Sequence, residues 1–99
     1  MAGKGPSRRP EQVAEAVRTA LAEALVRGEV RDPRVPMVTV SSVDVTRDLA
    51  HATIRVVPHG SEEERAAALE GLRSAAGFLR RIVAHTLTTR TVPELHVEL

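Results

Sequence analysis

The residue types best suited to chemistry lie in one run, Ser74-Ala75-Ala76-Gly77-Phe78-Leu79-Arg80-Arg81. Helical periodicity continues on both sides of Gly77, although a glycine inside a helix costs about 1 kcal/mol relative to alanine. The run therefore predicts a break at Gly77 between two short helices, with small side chains that let a partner's backbone come close. N–H groups freed at the start of the second helix suit a phosphate, helped by the helix dipole. Arg80 and Arg81, one turn further on, add planar, bidentate donors of the kind phosphate prefers. A second reading fits the same spacing: a helix hairpin with glycine for close packing and two solvated arginines. Spacing alone leaves both open.

Other chemistry is sparse. His51, His59, His85 and His96 stand singly along the chain, with no i,i+4 pair and no cysteine to complete a metal site. Ser41-Ser42 lacks a nucleophile-elbow context, and Gly3-Lys4-Gly5 is not a phosphate-binding loop. Asp44 and Asp48 flank a turn, where carboxylates commonly serve the backbone. The expectation is no catalytic residue, no metal and no cofactor, hence no enzyme.

Composition narrows the class further. The 99 residues suit one domain, with 42% apolar and 27% charged residues and a net charge of +1. No apolar run approaches the ~20 residues of a membrane span, and the absence of cysteine fits a reducing cytoplasm. Phe78 is the sole aromatic residue, so RNA readers that stack bases on paired aromatics are excluded. Charge is segregated. Lys4, Arg8 and Arg9 stand without an acid in residues 1–10, and Glu62, Glu63, Glu64 and Glu70 oppose Arg65 alone in residues 61–70. Residues 71–93 carry Arg73, Arg80, Arg81 and Arg90 with no acid.

The elements that must position these residues follow from periodicity. Residues 1–8 read as a flexible arm and residues 9–99 as the folded domain. Val13, Val17, Leu21, Ala24 and Leu25 mark a helix over about 10–27, begun by Pro10 and ended by Gly28. Val38 and Val40 alternate in one phase, Val43 and Val45 in the other, which predicts a strand with a bulge near Ser41-Ser42. Thr46-Arg47-Asp48 turns the chain into a second, antiparallel strand over 49–57. Ser61 and Glu64 form a capping box for a helix that carries Leu69 and Leu72. Beyond the kink, Leu79, Ile82 and Val83 mark a helix to about residue 88, and Leu95, Val97 and Leu99 alternate as a third strand. The order α-β-β-α-α-β predicts an α+β sandwich with its helices on one face of a small sheet. Its expected core comprises Val17, Leu21, Leu25, Ile54, Val56, Leu69, Leu72, Leu79, Ile82 and Leu95, with Phe78 inside.

Five segments, in this order and spacing, resemble the ribosome-binding factor A family. They are Arg9-Pro10, Asp32-Pro33-Arg34-Val35, residues 45–50, residues 75–80 and Arg90-Thr91-Val92-Pro93-Glu94-Leu95. The resemblance implies a single KH-like domain of type II, three helices on a three-stranded sheet. In that family the Gly-x-x-Gly loop gives way to a helix-kink-helix, here Ala75-Ala76-Gly77. It also implies a non-catalytic cytoplasmic assembly factor, monomeric and free of the membrane. Such a factor binds the immature small ribosomal subunit, assists maturation of its ribosomal RNA precursor and serves cold adaptation. Val97 departs from the family, which more often has an aromatic residue there.

The expected RNA-binding surface is Arg73, Ala75, Ala76, Gly77, Arg80, Arg81 and Arg90, with Arg8 and Arg9 of the arm. The alternative is a KH-like protein–protein interaction module that does not touch RNA, which the missing Gly-x-x-Gly and missing aromatics favour.

Overall fold

Pro10 stands at the first turn of α1 (Pro10–Val26), where its absent N–H leaves no bond unmade. Val13, Val17, Leu21 and Ala24 fall on one face and are buried. The helix ends at Gly28, whose φ of 70° is the left-handed value a glycine adopts without strain. Its N–H donates to Leu25 O at 3.1 Å and the Glu29 N–H to Ala24 O at 2.9 Å, closing a Schellman motif. The computed structural model describes residues 9–35, 38–87 and 92–99. The expected arm over 1–8, with Arg8, lies outside the described residues, as does Arg90.

Strands β1 (Val38–Val45) and β2 (His51–Pro58) pair antiparallel, joined by a turn in which the Leu49 N–H donates to Thr46 O at 2.9 Å. The register runs Val38 to Pro58 and Val40 to Val56, then resumes with Ser42 opposite Arg55. The extra residue is Ser41, whose hydroxyl donates to Arg55 O at 3.2 Å. This is the bulge that the change of valine phase predicts. Strand β3 (Glu94–Glu98) lies parallel to β2, giving the sheet order β1-β2-β3.

Helices α2 (Glu62–Ser74) and α3 (Ala76–Thr86) complete the α-β-β-α-α-β order, all helices lying on one face of the sheet. Ala52, Ile54 and Val56 of β2 and Val97 of β3 meet Val13, Val17, Leu21, Leu72, Leu79 and Val83 of the helices in one core. Leu25, Leu69, Ile82, Leu95 and Phe78 pack on the rim of this core and are half-buried, not interior as expected.

Two expectations need correction. The helix-kink-helix expected at Ala75-Ala76-Gly77 is present, but the break itself is Ala75 (φ −90°, ψ 11°), which ends α2 and begins α3, and Gly77 is the second residue of α3. Glycine's helix cost is a mid-helix quantity and is a poor marker of a break when the residue sits in a first turn. The histidines do not all stand singly. Parallel pairing of β2 with β3 sets His51 against Glu94 and Thr53 against His96, and the two imidazoles meet with Nδ1 of His51 and Nε2 of His96 3.0 Å apart. That contact spans 45 residues of sequence, beyond the reach of any spacing rule.

Candidate nucleic-acid interface

The kink is built by contrast between its two helices. At the start of α2 the Ser61 hydroxyl accepts the Glu64 N–H at 3.1 Å, and the Glu64 carboxylate accepts the Ser61 N–H at 2.8 Å. Glu62, Glu63 and Glu64 fill its first turn, and the Ser61 N–H holds the Glu64 carboxyl below the usual carboxylate range. At the start of α3 no side chain caps the helix and no acid lies in its first turn. The Ala75 N–H turns back to Gly71 O and Leu72 O, both at 3.1 Å, while Ala75 O accepts the Leu79 N–H at 2.9 Å. A helix N-terminus left this way presents donors and a positive dipole end to solvent.

Burial then selects the outward face of α3. Leu79 and Val83 are buried, whereas Gly77, Arg80, Arg81, Ala84 and His85 are exposed, a single stripe at i, i+3, i+4, i+7 and i+8. The structure therefore brings Gly77, Arg80 and Arg81 onto one acid-free face. A Cβ on Gly77 would meet nothing within 4 Å, so internal packing does not require the glycine. Arg80 Nη2 donates to Val92 O at 3.2 Å, its one side-chain hydrogen bond among the described residues, out of the five N–H donors of a guanidinium.

Arg73 belongs to α2 and turns toward β3, its Nε donating to Val97 O at 3.0 Å. With Ala76 it borders a shallow recess against Leu95–Glu98, and it is adjacent to the α3 stripe, not on it. Arg9 precedes α1, and 17 residues of helix span about 25 Å. The opposite end of α1 runs into Glu29 and Val30, which lie beside Ala75 and Phe78. Helix length thus keeps Arg9 away from the kink.

Sequence reasoning missed the loop that flanks the kink. Glu29, Val30, Arg31, Asp32, Pro33 and Arg34 face Ser74, Ala75 and Phe78 across an open cleft of about 830 Å³. Arg34 fixes this loop. Its Nη2 and Nε donate to the Asp32 carboxylate at 2.7 and 3.0 Å, and its Nη1 to Glu70 Oε1 at 3.0 Å. The Arg34 guanidinium, with the Arg34 N–H, holds the Asp32 carboxyl down at about 2. The loop lies against Gly71, where a Cβ would come within 2.8 Å of Val35 Cγ2. Asp32-Pro33-Arg34 contains the signal, a short acid–arginine bracket around a proline, but its target on α2 lies 36 residues away. Besides Arg34, which is engaged by Asp32 and Glu70, exposed Arg31 and half-buried Phe78 line the cleft, giving it a second cation and one aromatic face. Together, stripe and cleft can hold a phosphate backbone by arginine and helix N-terminus, with room beside it for a base.

The family model described as ribosome-binding factor A matches residues 9–99. The chain is 48% identical over 94 residues to a ribosome-binding factor A of Thermomicrobium roseum, covering 95% of this chain and 72% of that one. It is 49% identical over 90 residues to that of Thioalkalivibrio sulfidiphilus, covering 91% and 69%. Among solved structures, the crystal structure of ribosome-binding factor A from Thermus thermophilus is similar with a TM-score of 0.76 at 25% identity, over 92% of this chain and 96% of that one. A Thermus thermophilus ribosome binding factor A homology model, fitted into the cryo-EM map of its complex with the 30S subunit, is similar with a TM-score of 0.68 at 28% identity, over 85% and 87%.

Proposed function

The chain belongs to the ribosome-binding factor A family, and on that premise we propose that it binds the immature small ribosomal subunit and assists maturation of its ribosomal RNA. It does so as a cytoplasmic, monomeric, non-catalytic factor, in keeping with the role in cold adaptation that the resemblance implies. The observation that carries the residue-level reading is the exposed, acid-free stripe of Gly77, Arg80 and Arg81 at the uncapped start of α3. Phosphate oxygens accept from the arginines and from the helix's first N–H groups, and the bare Gly77 admits the backbone to close range. Arg73 and Arg31 flank the stripe and add positive potential. With Phe78 the sole aromatic, recognition rests on backbone and shape, and specificity comes from the folded ribosomal site.

The test is the affinity of the full chain for small subunits across a salt series. Replacing Arg80 and Arg81 together by glutamate weakens binding and flattens the log–log salt slope by about one to two units, if each arginine meets one phosphate. A folded double variant that binds like the wild type with an unchanged slope places the RNA surface elsewhere. A salt slope near zero in the wild type itself favours an apolar protein–protein interface instead.

A further inference from the structure

The open face of the sheet, opposite the helices, carries a cluster that the RNA-binding role does not use. His51 of β2 and Glu94 and His96 of β3 project from this face, and all three are exposed. The parallel register places His51 directly beside Glu94, with His96 two residues further along the same edge. One ligand atom from each residue lies within 4.8 Å of the others, with Nδ1 of His51 3.0 Å from Nε2 of His96 and 3.9 Å from Glu94 Oε1. We propose that these three side chains form a binding site for a divalent transition-metal ion of the zinc class, which ties the edge strand β3 to β2.

The distances suit the ion. Two imidazole nitrogens bound to one tetrahedral zinc at 2.0–2.1 Å stand about 3.3 Å apart, so the observed gap needs to open by only a few tenths of an ångström. Two imidazoles and one carboxylate are a borderline-soft donor set that favours zinc, nickel and copper over magnesium or calcium. Three protein ligands leave the fourth position to water. The backbone beneath is already fixed. The His51 N–H donates to Thr46 Oγ1 at 3.1 Å, and the Glu94 N–H to Ala50 O at 2.8 Å. Among the described residues, the neighbouring cation Arg55 is engaged by Asp44 and by Glu98 (3.3 Å to the latter) and not by Glu94. The gap between the rings also closes as an N–H···N hydrogen bond, so zinc displaces a proton on entering.

The experiment is calorimetric titration of the untagged full chain with zinc(II), with magnesium(II) as control and thermal melts in parallel. The expected result is one saturable zinc site, a melting temperature that rises with zinc, and no response to magnesium. His51→Ala and His96→Ala each weaken zinc binding by at least about tenfold, Glu94→Gln weakens it less, and His85→Ala leaves it unchanged. The altered side chains are exposed, and circular dichroism confirms that each variant is folded. Absence of saturable binding up to millimolar zinc, or binding that survives in the doubly substituted His51→Ala/His96→Ala protein, overturns the proposal.

Discussion

Helices α2 and α3 follow one another across a single residue, yet they begin in opposite ways. The start of α2 is closed, with its first N–H groups answered by Ser61 and its dipole by three glutamates. The start of α3 has no side-chain cap, no acid in its first turn and an exposed glycine. Their glycines repeat the difference. Gly71 of α2 is buried and lies so close to the loop at Val35 that a methyl group does not fit, whereas Gly77 of α3 has open space where its Cβ would be. One helix start serves the fold, and the other is left available to a partner. Substitutions that affect stability should therefore concentrate on α2 and the loop docked on it, and substitutions that affect binding on the first turns of α3.

The largest stability effect is expected at Gly71. Gly71→Val places branched carbons where Val35, Arg34 and Asp32 already stand, and overpacking of this kind costs about 1–3 kcal/mol. Urea denaturation measures it, and a cost near zero would show that the loop is not docked as described. Ser61→Ala, which removes the reciprocal cap of α2, costs about 0.5–2 kcal/mol, read from the same denaturation curves. A matching loss on Ala75→Ser at the start of α3 would break the contrast, since no cap exists there to lose.

The pH effect at the Arg34 bracket is smaller. Arg34 draws the Asp32 carboxyl from its ordinary 3.8 to about 2. A lowered carboxyl contributes stability that is present above its ordinary value and is lost as the pH falls toward the folded-state value. The melting temperature of the wild type should therefore approach that of Asp32→Asn between about pH 4 and about pH 2. A difference between the two proteins that stays constant through this window would mean that the bracket does not stabilise the loop.

What was legible in the sequence was local. The valine phase switch located the bulge at Ser41, and Ser61 with Glu64 announced the start of α2. Ile54 and Val56, expected in the core, are buried on one face of β2. What was not legible depended on long-range register. Parallel pairing of β2 with β3 joins His51 to His96, and docking of the loop on α2 joins Arg34 to Glu70; neither has a periodicity to betray it. At the kink, two helices meet where the sequence predicts a break, but the chain bends at Ala75 and leaves Gly77 inside the first turn of α3. Gly77 is thus needed neither as the joint nor for internal packing, and on the proposed reading its role is access.

Gly77→Gln tests that claim most directly. Glutamine is a better helix former than glycine, by less in a first turn than the ~1 kcal/mol of a helix interior, and its Cβ meets no neighbour, so the melting temperature should hold or rise slightly. Affinity for the small ribosomal subunit should nevertheless fall by at least about tenfold, equivalent to ~1.4 kcal/mol, because on the proposed reading the side chain would stand in the path of the RNA backbone. Unchanged affinity in the folded variant, or a collapse of its melting temperature, would contradict the account.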